Sequence, residues 1–144
     1  MTAPRRFILD TNVLVGAALL PDGGVPRRLE PTRLCLAAAR GGVLLASDAT
    51  LAELREVLLR SAFDHHKPRA AREAFLAAVE AEVERVQPAE GVKLCSDPDD
   101  DKFLAVALGG LADVLLTEDK ALLALRTVGN TRVLRPMTFL KTMA

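Results

Sequence analysis

Phe7-Ile8-Leu9-Asp10-Thr11-Asn12 is the stretch that decides how this chain folds. Three consecutive apolar residues indicate a buried strand, because an amphipathic helix would interrupt them with polar residues. An acidic residue follows this strand directly, and its position has no explanation as a helix cap alone. We therefore expect Asp10 to lie at the carboxyl end of the first strand of a sheet.

Short apolar runs of the same kind alternate with longer amphipathic segments. The further strand candidates are Val43–Ala46, Val114–Leu116, residues 132–134 and, more weakly, residues 85–87. Helical spacing of apolar residues predicts helices in residues 26–40, 48–58, 69–86, 100–108 and 119–125. Apolar strands that alternate with helices favour right-handed βαβ units. The sequence therefore predicts an α/β fold with three layers, α/β/α, around a central parallel sheet of about five short strands.

Local signals place several helix ends. Ser47 or Asp48 is expected to cap the helix that follows the second strand, because either side chain can accept a hydrogen bond from the first backbone N–H groups. Pro31 must start or kink the helix in residues 26–40, since proline has no N–H to donate within a helix. Gly109-Gly110 is expected to end the helix that begins at Asp100 or Asp101.

The composition excludes some ways of binding nucleic acid. The 144 residues are 50% hydrophobic and 26% charged, which is typical of one globular domain spanning residues 1–144. Aromatic residues make up only 3%, with no Trp or Tyr, so platforms for stacking bases are not expected. Nineteen basic residues balance nineteen acidic ones. Attraction to a nucleic acid would therefore depend on a local basic patch or on bound metal.

The cysteines and the apolar runs bear on the compartment. Cys35 and Cys95 both lie in apolar surroundings and are expected to be free thiols. Residues 1–6 show no secretory signal before the first strand. No apolar stretch approaches the roughly 20 residues that a membrane-spanning helix needs. We therefore expect a cytoplasmic protein without a membrane anchor.

Four carboxylates from distant parts of the chain are expected to meet at one edge of the sheet. Asp10 and Asp119 each follow a strand, Asp101 begins a helix after an acidic loop, and Glu53 lies about a turn and a half into helix 48–58. Ligands of open α/β sheets bind beyond the carboxyl ends of the strands. Clustered carboxylates repel each other, and a hard divalent cation, Mg²⁺ or Mn²⁺, removes that conflict. Two such ions could activate a water molecule and stabilise the leaving oxygen of an in-line displacement.

Each acid also has an ordinary interpretation. Asp101 and Asp119 begin helices, where an aspartate usually caps the helix or interacts with its dipole. Glu53 alone would be taken for part of a solvated helix face. The functional interpretation depends on the four residues together. Asp64-His65-His66, which also contains metal-binding residue types, is interpreted as a loop because adjacent histidines point in different directions.

Five stretches, in order, resemble the motifs of PIN domains. They are residues 8–14 (ILDTNVL), 47–58 (SDATLAELREVL), 97–108 (DPDDDKFLAVAL), 112–119 (ADVLLTED) and the closing strand with its Pro-led turn at 132–140. The third stretch is similar to that of PIN-family toxins of toxin–antitoxin systems, and the resemblance covers nearly the whole chain. Two residues depart from the family pattern. Glu118 stands where relatives often have Gly, and Pro31 interrupts a helix that relatives usually continue.

The resemblance implies a metal-dependent endoribonuclease of the VapC-like kind. Aligning Leu104-Ala105 with the family's third-motif helix puts the third acid at Asp101. The implied catalytic and metal-binding residues are Asp10, Glu53, Asp101 and Asp119. Residues that would support the ligands or metal-bound waters are Thr11, Asn12, Asp100 and Thr117. The implied cofactor is Mg²⁺ or Mn²⁺, and the implied partners are an RNA substrate, a small antitoxin protein and a second copy of the chain in a homodimer.

Two other enzyme classes that use an early aspartate fit the sequence less well. A phosphatase of the haloacid-dehalogenase type also begins with a strand and an aspartate, but it needs a second acid two residues later, where this chain has Asn12. A receiver-type phosphoacceptor needs an early pair of acids that is missing. A catalytically weak PIN-like module that only binds RNA or protein stays open. Lys102 and several arginines are candidates for contacting phosphate, although most basic residues are expected to be solvated.

Overall fold

A six-stranded sheet forms the centre of the computed structural model, which describes residues 3–143. The strands are β1 (Arg6–Leu9), β2 (Val43–Ala46), β3 (Glu84–Arg85), β4 (Val114–Leu116), β5 (Thr127–Val128) and β6 (Thr131–Leu134). Their spatial order is β3-β2-β1-β4-β6-β5. All neighbouring pairs are parallel except β5 and β6, which form an antiparallel hairpin. The sheet is therefore mostly parallel, as the sequence predicts.

Seven α-helices connect and cover the strands in the part of the chain that the structure describes. They are α1 (Thr11–Ala18), α2 (Glu30–Gly41), α3 (Asp48–Leu58), α4 (Arg69–Glu82), α5 (Asp101–Gly110), α6 (Lys120–Leu123) and α7 (Pro136–Thr142). Single turns of 3₁₀ helix occur at Arg27–Leu29, Ser61–Phe63 and Pro98–Asp100. Among residues 3–143 we find no helix of the length and apolarity required to cross a membrane.

The two faces of the sheet bury separate hydrophobic clusters. Side chains alternate across a strand, so Phe7 and Leu9 of β1 belong to the cluster shared with α1 to α4 and α7, whereas Ile8 belongs to the cluster shared with α5 and α6. Both clusters consist mainly of Leu, Val and Ala, with a few Phe rings. Helices on both faces of one sheet confirm the predicted three-layer α/β/α architecture.

The centre of the sheet decides where a ligand can bind. β1 lies between β2 and β4, with Phe7 opposite Leu44 and Leu9 opposite Leu116. The chain leaves β1 and β4 at the same edge, and β2 ends there too. Because the strand order reverses at β1, a crevice opens beyond the carboxyl ends of these strands. This crevice is the expected position of a functional site.

Several local predictions are confirmed. Ser47, rather than Asp48, caps α3: its hydroxyl accepts from Thr50 N at 3.2 Å, and the Thr50 hydroxyl oxygen accepts from Ser47 N at 3.0 Å. Pro31 lies in the first turn of α2, where its missing N–H costs nothing. The predicted start of the helix at residue 26 is wrong, because residues 27–29 form a 3₁₀ turn before α2.

Three elements differ from the prediction. The predicted helix at 69–86 ends at Glu82, because Glu84 and Arg85 instead pair with β2 as the edge strand β3. Helix α1 was not predicted, since its residues from Val13 to Ala18 are apolar or glycine and give no helical period. The β5–β6 hairpin was also missed: β5 has only two residues, and its turn depends on Gly129 with a φ of 58°.

Candidate functional site

Asp10 lies at the centre of the predicted edge and is almost fully buried, with 5% of its surface exposed. Its backbone N donates to Leu116 O at 3.0 Å, which fixes the residue between the ends of β1 and β4. Its Oδ2 accepts a hydrogen bond of 2.7 Å from the hydroxyl of Thr117. An aspartate in this position is held rigidly, and only one of its oxygens is bound by a side chain.

Thr117 and Asp119 complete the end of β4. The buried Thr117 hydroxyl donates to Asp10 and accepts a 2.9 Å hydrogen bond from Asp119 N, so it links the two acids. Asp119 Oδ1 accepts from Ala121 N at 2.8 Å and from Leu122 N at 3.2 Å. Asp119 is therefore the cap of α6, and its other oxygen takes no part in that cap. The cap and a role in the site are compatible.

Glu53 reaches the site from α3 and is held on both oxygens. The Thr11 hydroxyl donates to its Oε2, and Lys102 Nζ lies 2.8 Å from its Oε1. The side chains of Lys102 and Glu53 are 26% and 24% exposed, so this ion pair is partly desolvated. Glu53 acts on Asp10 through its negative charge, which contributes to raising the pKa of Asp10.

The acidic loop before α5 separates two neighbouring aspartates. Asp101 Oδ1 accepts from Leu94 N at 3.0 Å and from Cys95 N at 2.8 Å, so this carboxylate anchors the loop that leads into the helix. Asp100 is the residue whose carboxyl interacts with Asp119 and Asp10. The structure thus brings together Asp10, Glu53, Asp119 and Asp100, and it gives Asp101 a different set of partners.

Burial and mutual repulsion change the pKa values of these acids. Burial raises the pKa of Asp10, and the charges of Asp119 and Glu53 add to this against the hydrogen bonds from Thr117 and Thr11. Burial also raises the pKa of Asp100, to about 7, with further contributions from the charges of Asp119, Asp10 and Asp97. A proton shared with Asp119 would stabilise the neutral form of Asp100. The site therefore holds more negative charge than its own partners can neutralise.

Asp100 also provides an independent sign that a cation fits here. Its Oδ2 is buried and has no hydrogen-bond partner in the described part of the chain. A buried oxygen without a donor is costly unless a ligand satisfies it. Within residues 3–143, no three acidic, His or Cys side chains converge closely enough to ligate one ion directly. The arrangement consequently suits a hydrated ion such as Mg²⁺, which takes one or two carboxylates and keeps several waters.

The other residues singled out in the sequence have clear positions. Thr11 and Thr117 are buried and bind the acids, whereas Asn12 is exposed on α1 and its side chain has no hydrogen-bond partner among the described residues. Asp64 is paired with Arg72 in the connection between α3 and α4, away from the acids, so the loop interpretation is confirmed. The contact between Lys102 and Glu53 was not predicted, because no local pattern in the sequence signals it.

Comparisons with known proteins agree with this geometry. The sequence profile of the PIN domain matches residues 6–121. No match is found among curated protein sequences. VapBC2 of Rickettsia felis, solved bound to a DNA fragment from its promoter, has a similar structure, with a TM-score of 0.55 and 15% identity over 90% of this chain and 98% of that chain.

VapC20 of Mycobacterium tuberculosis, described as a sarcin–ricin loop cleaving toxin, is similar as well. Its TM-score is 0.53, with 15% identity over 88% of this chain and 98% of that chain. At this identity the two structures bear on the fold alone. The matched profile, in contrast, includes the whole segment from β1 to the cap of α6 and therefore all the acids of the site. The resemblance noted in the sequence is thus confirmed, and the chain belongs to the PIN domain family.

Proposed function

We propose that this protein is a divalent-metal-dependent ribonuclease that hydrolyses phosphodiester bonds of RNA. The observation that carries the proposal is the buried Asp100 Oδ2, which has no donor among residues 3–143 and lies in a carboxyl group that interacts with Asp10 and Asp119. Such a group is unfavourable in a protein whose function is only structural. It becomes favourable when a cation binds and neutralises the three acids.

The third acid of the proposed site is Asp100 instead of Asp101. The alignment of the third motif favoured Asp101, but its Oδ1 accepts from Leu94 N and Cys95 N in the loop. The charges that act on Asp10 and Asp100 include that of Asp119 and not that of Asp101. Residues 98–100 form a 3₁₀ turn before α5 begins, and this turn changes the direction in which successive side chains point. In our proposal Asp101 is the anchor of the loop and Asp100 is the ligand.

The residues have distinct roles in the proposed reaction. Asp10, Asp100 and Asp119 would hold a hydrated Mg²⁺ or Mn²⁺, one or two of them directly and the rest through its waters. Thr117 fixes Asp10 and Asp119 through its hydroxyl. The bound ion would supply Lewis-acid activation of water and of the phosphate. Glu53, which Thr11 positions, would hold a metal-bound water or accept its proton. None of these roles requires an aromatic platform for the bases, which agrees with the low aromatic content.

The biological role that we propose is the toxin of a toxin–antitoxin pair acting in the cytoplasm. Support comes from the folds of VapBC2 and of VapC20, the latter described as a toxin that cleaves the sarcin–ricin loop. A small antitoxin protein would then be the regulatory partner. We also propose a homodimer, since a second copy would place additional basic residues beside each site of a chain with no net charge. Light scattering tests the dimer, and a mass of one chain at micromolar concentration would exclude it.

Cleavage of end-labelled RNA in Mg²⁺, in Mn²⁺ and in excess EDTA tests the proposed function. We expect products only with metal, and we expect Asp119→Asn to lose them. Metal should also raise the melting temperature, because an ion that binds only the folded state stabilises it. A wild-type protein that binds RNA without cleaving it, with a melting temperature indifferent to both metals, would instead indicate the catalytically weak binding module.

A further inference from the structure

The ion pair between Lys102 and Glu53 is unusual among the ion pairs of this protein. Among the ion pairs within residues 3–143, it alone includes a carboxylate of the acidic site, with Lys102 Nζ 2.8 Å from Glu53 Oε1. Other basic side chains pair with acids elsewhere, such as Arg69 with Glu73 along α4 and Arg135 with Glu118. A cation has therefore been placed beside acids that are proposed to bind a cation.

Glu53 has a second partner besides Lys102. The Thr11 hydroxyl donates to Glu53 Oε2, the oxygen that Lys102 does not contact. Glu53 would therefore keep a partner from α1 if the ammonium group moved away. A purely structural explanation of Lys102 is weak for this reason, because its contact duplicates support that the fold already provides.

A permanently fixed ammonium group would oppose the binding of a divalent ion. Lys102 is the second residue of α5, two positions after Asp100, and the charges of Glu53, Asp99 and Asp100 act on it. Like charges in a partly desolvated site repel one another strongly. The side chain, however, is a flexible stem that carries a compact charge, so it can turn from Glu53 towards solvent without moving the helix.

An RNA phosphate that binds beside the acidic site needs a positively charged group to offset the repulsion from the carboxylates. A phosphodiester that approaches the acidic site is repelled by its carboxylates, and the chain as a whole offers no net positive charge to offset the repulsion. Lysine binds phosphate as a point charge and does not need a fixed geometry. Lys102 is the basic side chain that the structure already holds in contact with the site.

We propose that Lys102 is the phosphate-contacting residue of this site: it pairs with Glu53 while the acids lack an ion, and it contacts a non-bridging oxygen of the RNA phosphate when metal and substrate are bound. This inference rests on the proposed ribonuclease function and names a substrate-binding residue for it. The contact is independent of base sequence, since phosphates carry no sequence information directly.

Binding of a fluorescent single-stranded RNA, measured by anisotropy over a range of salt concentrations in Ca²⁺, tests this inference. We expect Lys102→Met to weaken binding about tenfold and to reduce the slope of log affinity against log salt by about one. Lys102→Arg should retain most of the affinity, because it keeps the charge. The matched control is Arg69→Met, which removes an exposed cation of α4 and should leave affinity and slope unchanged.

Titration with Mn²⁺ in the absence of RNA separates a substrate contact from a positioning role. Removing a positive charge beside the acids should leave Mn²⁺ affinity unchanged or raise it a few-fold. An Lys102→Met variant with wild-type RNA affinity and salt slope but weaker Mn²⁺ binding would overturn the inference and leave the ribonuclease proposal standing. Wild-type protein that neither binds nor cleaves RNA would overturn both.

Discussion

Two regions of this molecule bury charged side chains, and the two regions differ in whether those side chains have oppositely charged or hydrogen-bonding partners. Arg72 on α4 is fully buried, and its guanidinium donates to Lys67 O at 3.0 Å, to Leu58 O at 2.8 Å and to Arg60 O at 3.2 Å, as well as to the carboxylate of Asp64. The acidic site, in contrast, buries Asp10 among other acids.

The difference between these regions separates structural charge from functional charge. Each of the three guanidinium nitrogens of Arg72 donates to an acceptor, so the residue joins the end of α3, the following connection and α4 without needing anything from outside. In the acidic site, burial raises the pKa of Asp10 and Asp100, and Asp100 Oδ2 has no partner in the described residues. A fully satisfied buried charge stabilises a fold, whereas an unsatisfied one indicates a missing ligand.

Asp10→Asn should produce the largest change. The amide keeps the size of the side chain but cannot supply a charge to the metal, so we expect RNA cleavage in Mn²⁺ to fall about a thousandfold or more. The folded state should be at least as stable as wild type, because one of several repelling charges is removed. The control is Asp48→Asn, whose side chain is 89% exposed at the start of α3. Full cleavage by a well-folded Asp10→Asn sample would contradict the site.

Arg72→Met should have the opposite effect to Asp10→Asn: it should lower stability and leave the metal site unchanged. Removal of the guanidinium leaves the carbonyl oxygens of Leu58 and Lys67 without their donor, so we expect the free energy of unfolding in urea to fall by about 3 kcal/mol. Metal affinity should not change in the protein that remains folded. Arg69→Met, which breaks only an exposed pair, should have little effect on stability. If Arg72→Met and Arg69→Met were equally stable, the hydrogen bonds of Arg72 would not stabilise the fold as we propose.

Asp100→Ala and Asp101→Ala should differ in which property they change, Mn²⁺ affinity or stability, although each effect is smaller than those above. We expect the first variant to weaken Mn²⁺ binding about tenfold or more, because it removes a proposed ligand. The second should keep most of the Mn²⁺ affinity and lose about 1 kcal/mol of stability, since it frees Leu94 N and Cys95 N in the loop. Calorimetric titration and urea unfolding measure the two quantities, and the reverse outcome would restore Asp101 as the ligand.

The pH dependence of the metal-free protein should show the smallest effect. The pKa of Asp100 is raised from its ordinary 3.8 to about 7, so between these values the folded protein keeps a proton that the unfolded chain has lost. Stability therefore falls as pH rises through this window. We expect the melting temperature to drop from about pH 5 to about pH 8 by more in wild type than in Asp100→Asn. Identical profiles would show that Asp100 is not buried among acids.

Much of the site could be predicted from the chain because the acids follow strands. Asp10 comes directly after β1 and Asp119 shortly after β4, and parallel strands bring these residues to one edge whatever the details of packing. Asp100 and Asp101 could not be distinguished in this way. They are adjacent, and only the 3₁₀ turn before α5 and the backbone donors of residues 94 and 95 determine which carboxylate turns towards Asp10.

The sequence by itself determined the α/β fold, the positions of the main strands along the chain and the edge at which the acids meet, because hydrophobic periodicity and chain direction are local properties. Only the tertiary structure decided that Lys102 pairs with Glu53, that Arg72 is buried against backbone carbonyls, and that Asp101 serves a loop. These contacts join residues from separate elements, and their partners depend on packing distances that no local pattern records. The physical reason is that a charge acquires its function from what surrounds it in space.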